Sequence, residues 1–159
     1  MSNFLTSAFD AAEADLIGTA GVNIATTGLQ SGRSSDNTTG ITLSPISQWM
    51  KVTLSLASAA FAANAYAALY LIPQNTDGST WPDYTSGNNQ ASPTIPGQYL
   101  KGIFQFNNAT RAQAQTISFY IGDMANATFR PVIVNNCGVA WATTGNTLKY
   151  RTFSDEYTA

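Results

Sequence analysis

Hydrophobic and polar residues alternate most regularly along residues 50–56. Large apolar side chains occupy every second position from Met50 to Leu56, and Lys51, Thr53 and Ser55 lie between them. A period of two residues predicts a strand with one buried face. The nearly continuous apolar run 65–72 then predicts a second core strand, joined to the first as in a hairpin.

The same region raises the question of a membrane span, because no charged residue lies between Lys51 and Asp77. That length is sufficient to cross a bilayer. However, the segment is rich in Ala and Ser, holds few large aliphatic residues, and alternates with the wrong period for a helix. We therefore expect no transmembrane helix and no membrane partner.

Shorter apolar runs, separated by turns rich in Gly, Pro and Asn, predict further strands. They lie at residues 18–27, 41–44, 99–106, 115–121, 129–135 and 148–154. Pro131 inside one of these runs argues for an edge strand or a bulge. About eight short strands with such punctuation predict an all-β fold, an antiparallel β-sandwich or jelly-roll-like domain.

The first 17 residues follow a different pattern. Apolar residues such as Phe4, Phe9 and Leu16 are spaced as on a weak amphipathic helix, with acidic residues between them. We predict an N-terminal arm or short helix over residues 1–17, which either packs on its own domain or docks on a neighbouring subunit. Residues 18–159 are predicted to form a single β-sandwich domain.

The composition favours a protein that works in an assembly. Of the 159 residues, 44% are hydrophobic and only 10% are charged, and the net charge is −2. A surface with so few charges limits solubility as a free monomer. No basic run is present, so we expect no direct contact with nucleic acid. Four bases lie on predicted strands and either face solvent or meet acids of a neighbouring subunit: Lys51, Lys101, Lys149 and Arg151.

Catalytic chemistry has little support in the sequence. There is no histidine, which removes the commonest general base and most zinc sites. The lone Cys137 is predicted to be a small buried core residue. Asp77 and Asp83 lack the spacing of a calcium loop. We expect no enzymatic activity, no metal site and no cofactor.

The longest irregular segment, residues 74–98, is a candidate contact region. It carries Trp81 and Tyr84 in a polar setting, and aromatic residues are enriched at recognition surfaces. The alternative is that Trp81 folds back over the edge of the sheet. The residues we predict to contribute to partner contacts are Phe4, Phe9, Trp81, Asp83 and Tyr84.

Several motifs together resemble small virion proteins of tailed bacteriophages, the capsid decoration or cement type. They are Thr-Gly-Leu-Gln-Ser-Gly-Arg-Ser-Ser-Asp at 27–36, the strand at 52–56, the strand and loop from 67–77 to Trp-Pro-Asp-Tyr at 81–84, and the segments 129–136 and 138–144. The likeness covers residues 27–153. The Ser86–Pro96 loop is longer than in that pattern.

This resemblance implies a β-sandwich on the outer capsid surface of the virion, with the major capsid protein as partner. It implies a homo-oligomer, with a trimer favoured over a dimer, and neither catalysis nor a cofactor. Residues 1–15 lack the basic start of a signal peptide, so we expect synthesis in the host cytoplasm. The alternatives are a receptor- or glycan-binding module of a tail fibre or spike, or a head–tail connector component.

Overall fold

The computed structural model describes residues 4–9, 12–17, 31–34, 41–43, 47–82, 90–91, 95–124 and 127–158. The strands in these ranges are β1 Phe4–Phe9, β2 Ala14–Ile17, β3 Ser31–Ser34, β4 Ile41–Thr42, β5 Trp49–Ala60, β6 Tyr66–Pro73, β7 Gln90–Ala91, β8 Leu100–Gln105, β9 Thr110–Tyr120, β10 Thr128–Asn136 and β11 Thr147–Thr158. Two short 3-10 turns, Gly97–Tyr99 and Gly122–Met124, are the only helical elements in the described part. None of the described helical segments is long and apolar enough to span a membrane.

The strands form two sheets whose pairings are nested. The first sheet has the order β1-β11-β5-β9, with β2 also paired to β11. The second has the order β7-β3-β10-β6-β8, with β4 also paired to β10. Thus β6 pairs with β8, β5 with β9, β3 and β4 with β10, and β1 and β2 with β11, all antiparallel. These pairings together form one long hairpin of paired strands. The further pairs β5–β11 and β6–β10 fold this hairpin into the two sheets of a jelly roll, which confirms the predicted all-β sandwich.

The core lies between the two sheets. Met50, Val52 and Leu54 of β5 have no exposed surface, as the alternation predicts, and they pack in one cluster with Leu69 of β6 and Ile133 of β10. Burying one such side chain contributes about 2 kcal/mol. Because this cluster takes side chains from both sheets, it holds the sandwich together.

A smaller apolar cluster covers the outer face of the second sheet. Its buried members are Ala68, Ile72, Val132 and Val134, and partly buried Tyr70, Ile95 and Tyr99 pack against them. Ile95 and Tyr99 come from the segment that joins β6 to β8, and β7 of the same segment pairs with β3 at the opposite edge of the sheet. We call residues 74–98 the long loop, and among its described residues Ile95 packs on this face.

The sequence predicts an N-terminal arm or a short helix over residues 1–17, and of these two the helix is wrong. Residues Phe4–Phe9 and Ala14–Ile17 are strands, and both pair with β11. The apolar spacing fits either structure, and pairing with β11 buries Leu16 and Ile17 in the main core, which a solvent-facing helix would not do. The separate boundary after residue 17 stays a prediction, and the strand expected at 18–27 lies outside the described residues.

The expected hairpin of the two central strands is also wrong, because β5 and β6 belong to different sheets. The connection turns at Asn64, which has a left-handed φ of 61°, and carries the chain from one sheet to the other. Since β6 is buried on both faces, its continuous apolar run does not reveal its neighbours.

Two strands are longer than the sequence predicts, and Pro131 lies in an unexpected place. Strand β9 begins at Thr110 and not near residue 115, and β11 continues to Thr158, beyond the predicted end at residue 154. Pro131 lies in a central strand, not at an edge. On that side β10 pairs with β4 at residues 128–129 and with β3 at 132–135, so the proline occupies the gap between them.

Gly102 of β8 allows the edges of the two sheets to approach. A Cβ at this position would lie 2.6 Å from Cδ1 of Ile117 in β9. We expect Gly102→Ala to lower the free energy of unfolding by about 1 kcal/mol through overpacking. In the Ile117→Val background, which removes Cδ1, the same change should have a smaller effect. Urea unfolding of the four proteins measures this coupling, and strictly additive effects would contradict the proposed contact.

Candidate docking face on the first sheet

Four aromatic side chains from four strands form one row on the outer face of the first sheet. The strand register places Phe9 opposite Phe153, Phe153 opposite Trp49, and Trp49 opposite Tyr120. Neighbouring ring centroids are 6.1, 6.3 and 5.4 Å apart. Cross-strand aromatic pairs at such distances stabilise a sheet. We call these residues the aromatic row, and the outer face that carries it the docking face.

The ends of the aromatic row are open to solvent. Phe9 is 53% exposed and Tyr120 is 54% exposed, whereas Trp49 and Phe153 are partly buried. Their neighbours Met50 and Thr152 already face the core, so the row does not contribute to the space between the sheets. Contiguous exposed apolar side chains on a folded domain are typical of an interaction site.

Tyr120 is held in position by a glycine. A Cβ on Gly122 would overlap the ring and hydroxyl of Tyr120, so the ring lies directly over the Gly122 backbone. Gly122 opens the short 3-10 turn that follows β9. The absence of a side chain at Gly122 therefore makes room for the Tyr120 ring at the end of the aromatic row.

Three basic residues follow the aromatic row on the same face. Arg151 lies directly opposite Lys51, and its guanidinium carbon is 4.3 Å from the centroid of the Phe9 ring. Lys149 lies two residues further along β11, and its Nζ is 3.3 Å from Oε1 of Glu13. The docking face thus combines aromatic surface with positive charge on a chain whose net charge is −2.

Two shallow depressions lie between these side chains. One, of about 250 Å³, is lined by Phe9, Lys51, Ser118 and Phe153. The other, of about 190 Å³, adjoins it around Lys51, and Glu13 is among its lining residues. Both are smaller than the pockets of roughly 300–1,000 Å³ that hold drug-sized ligands. Their size suits single side chains or other small groups of a larger partner.

Asp77 is hydrogen-bonded within its own turn. Oδ1 of Asp77 accepts the backbone N–H groups of Ser79 and Thr80 at 2.8 Å, and Oδ2 accepts the Thr80 hydroxyl. These bonds lower the pKa of Asp77 to about 2. In the described ranges, no three His, Cys, Asp or Glu residues are grouped so that they could hold a metal ion.

Cys137 is buried as the sequence predicts. Its Sγ donates to the Tyr66 carbonyl at 3.4 Å and accepts Nε1–H of Trp141 at 3.5 Å. Burial raises the pKa of the thiol to about 11, so the reactive thiolate is scarce at neutral pH.

The structure brings only part of the predicted contact set to the docking face. Phe9 is in the aromatic row, and Phe4 lies in β1 opposite Thr158. Trp81 is partly buried with the Arg130 guanidinium carbon 4.2 Å from its ring centroid, so it folds back on its own domain. Its role in partner contacts stays a prediction. Asp83 and Tyr84 lie outside the described residues.

Sequence reasoning missed Trp49, Tyr120 and Phe153. Each occupies a position of the alternating pattern that points away from the core, where a polar residue is usual. An aromatic residue at a solvent-facing strand position was the available signal. To use this signal, one has to know which alternate residues of each strand face the core. The sequence shows this only where the alternation of apolar and polar residues is unbroken.

The hydrogen bonds of Asp77 predict a specific pH dependence. A carboxylate whose pKa is depressed on folding contributes stability that is complete above its unfolded pKa of about 3.9 and is lost as the pH falls through about 2. We expect the Asp77 carboxyl carbon to titrate near pH 2 by NMR. The Ser79 and Thr80 amide signals should shift with the same midpoint. Asp77→Asn should abolish that titration, and a midpoint near 4 in the unmodified protein would contradict the hydrogen-bonded turn.

Comparison with known proteins gives structural neighbours only. No protein-family model matches the chain, and no curated protein matches it. The decameric BFDV capsid protein is similar over 99% of this chain and 100% of its own, with 6% identity and a TM-score of 0.39. The enzymatically active domain of bacteriophage CBA120 tailspike protein 4 is similar over 97% of this chain, with 8% identity and a TM-score of 0.34. This chain covers 19% of that tailspike chain. At these identities and TM-scores, neither neighbour establishes a family or a function.

Proposed function

We propose that this chain is a structural protein of a virus particle. In its specific form, the proposal is a capsid decoration protein that binds the outer surface of an icosahedral phage head and stabilises neighbouring capsomers. A jelly roll hosts many functions, so the fold alone does not carry this proposal. The observation that carries it is the aromatic row, whose ends Phe9 and Tyr120 are more than half exposed.

The docking face has the composition of a protein interface. Aromatic and Arg side chains form the energetic centre of most interfaces, and polar residues surround them. Here the aromatic row is the centre, and hydroxyl and basic side chains such as Thr53, Ser118 and Lys51 form the surround. An interface of ordinary size buries about 800 Å² on each partner, which one sheet face can provide.

An assembled head explains why modest contacts suffice. Each copy adds a small free energy of binding, and an oligomer bound at several points multiplies it through effective concentration. In this proposal the partner is the major capsid protein, and the chain is a homo-oligomer, with a trimer favoured over a dimer. It acts on the virion surface without catalysis, cofactor, nucleic acid or membrane.

One alternative also uses the docking face. Aromatic rings beside hydroxyl groups are the usual platform for sugar rings. Ser118 lines one depression with Phe9 and Phe153, and Thr53 and Thr116 line the other with Phe9. A glycan-binding module of a tail fibre or spike would use the same residues. It differs from a decoration protein in copy number, because spikes occur at few positions on a particle.

Copy number tests the proposal directly. Quantitative mass spectrometry of purified particles gives the ratio of this chain to the major capsid protein. A decoration protein is expected at a ratio approaching one. A dozen copies or fewer would favour a spike or connector position, and absence from particles would contradict a virion role.

Substitutions in the aromatic row test the docking face. We expect the double change Phe9→Ala and Tyr120→Ala to weaken binding to heads that lack this chain by roughly 30- to 1,000-fold, because truncating each of the two interface anchors costs about 1–2 kcal/mol. Circular dichroism should be unchanged, since both side chains lie outside the core.

Ile103→Ala is the matched control, because Ile103 is 49% exposed on β8 of the second sheet. It should bind heads like the unmodified chain. Wild-type binding by the double variant together with weakened binding by Ile103→Ala would place the contact on the second sheet instead.

A further inference from the structure

The geometry points to a carboxylate-binding site formed by Lys51 and Arg151, which receives an Asp or Glu side chain of the shell protein. This inference rests on the proposed function and names the chemistry of the partner at the docking face. We call these two residues the cation pair. Four observations support the site, and each concerns a side chain that the structure describes.

The first observation is that two like charges lie directly opposite each other. Arg151 of β11 and Lys51 of β5 are cross-strand neighbours on the same outer face. Such pairs are destabilising in a sheet. The chain has only seven Lys and Arg residues, yet two of them occupy this unfavourable position. A bound anion between them would relieve the repulsion.

The second observation concerns the acidic side chains that the structure describes. Glu13 lines the neighbouring depression, but its carboxylate is 3.3 Å from Nζ of Lys149. Within this described part of the chain, no ion pair joins an acid to Lys51 or Arg151. A carboxylate of another molecule is the partner that we infer for the cation pair.

The third observation is that Arg151 lies against the ring of Phe9. Its guanidinium carbon is 4.3 Å from the ring centroid, a cation–π contact that keeps the positive charge beside Lys51. An arginine guanidinium held at one place on a surface is suited to a carboxylate, which it binds through charge-assisted hydrogen bonds.

The fourth observation is the shape and lining of the adjoining depression. A shallow space of about 250 Å³ is lined by Lys51, Ser118, Phe9 and Phe153, and Arg151 lines the depression beside it. A carboxylate on a short aliphatic stem matches this lining, with its oxygens near Lys51 and Ser118 and its methylene groups on the rings. Asp and Glu side chains have this structure.

The extent of the positive charge favours a protein over a polyanion. A nucleic acid strand requires a track of cations along its backbone. An acidic polysaccharide presents a carboxylate on successive sugars and would require a matching series of cations. On the docking face the next cation, Lys149, is already bound to Glu13, so the charge available matches a single carboxylate.

Binding to purified heads that lack this chain tests the site. We expect Lys51→Met and Arg151→Met each to weaken binding about 10-fold or more, because the shell carboxylate would lose its charged partner. Lys51→Arg should bind within about threefold of the unmodified chain, since the charge is retained. Lys101→Met, which removes a charge from β8 of the second sheet, is the matched control and should bind normally. Thermal unfolding of each variant confirms that it is folded.

Carbodiimide coupling on the decorated head identifies the partner group. The reagent activates a carboxylate, the Lys51 amine attacks it to form an amide, and the carboxylate oxygen leaves with the reagent as a urea. Mass spectrometry should find Lys51 joined to an Asp or Glu of the shell protein. Lys51→Arg should abolish this crosslink while it preserves binding, which separates the chemical contact from a loss of folding.

The results that overturn the site differ from those that overturn the proposed function. If the cation-pair variants bind heads normally and Lys51 forms no crosslink, the carboxylate site is wrong, while weak binding by the aromatic-row variant would still support decoration. If the unmodified chain does not bind heads, both fail. If polygalacturonate or an oligothymidylate binds the chain through Lys51 while binding to heads is independent of it, the partner is a polyanion and the inference is wrong.

Discussion

The space between the two sheets has to be filled by every second residue of each strand, and this constraint determines which residues face outward. Because Met50, Val52 and Leu54 point inward, the residues between them must point to the outer face of the sheet. A slip of one residue in β5 would place Lys51 in an apolar core without a partner, which is strongly unfavourable. The exposed Lys51 therefore also helps to fix the register of the sheet.

The register in turn creates the aromatic row. Phe9, Trp49, Tyr120 and Phe153 are far apart in the sequence and meet only because four strands align at one level. No short motif marks such a site. The four rings stay together only while the strands of the sheet stay paired. The aromatic row and the stability of the fold therefore depend on the same strand pairings.

The sequence pattern predicted correctly those features that depend on a few neighbouring residues. The alternation of β5, the buried state of Cys137 and the all-β class all follow from side-chain polarity over a few residues. The helix expected near the N-terminus and the hairpin expected around Asn64 failed because each depended on partners elsewhere in the chain, β11 in one case and the choice of sheet in the other. Phe9 was predicted as a contact residue from a helical spacing that the structure does not have, and this role stays a prediction. Its neighbours in the aromatic row were not predicted, because their alignment depends on the pairing of four strands.

The nested pairing has a consequence for synthesis on the ribosome. Strand β5 gains one neighbour from β9, but its other neighbour is β11, which consists of residues 147–158. Until those residues emerge, one edge of β5 stays open and the first sheet cannot close over its core. Non-local pairing of this kind folds slowly and exposes strands to wrong partners in the interval. Strand β5, with its apolar inner face, is thus a segment that needs protection during translation.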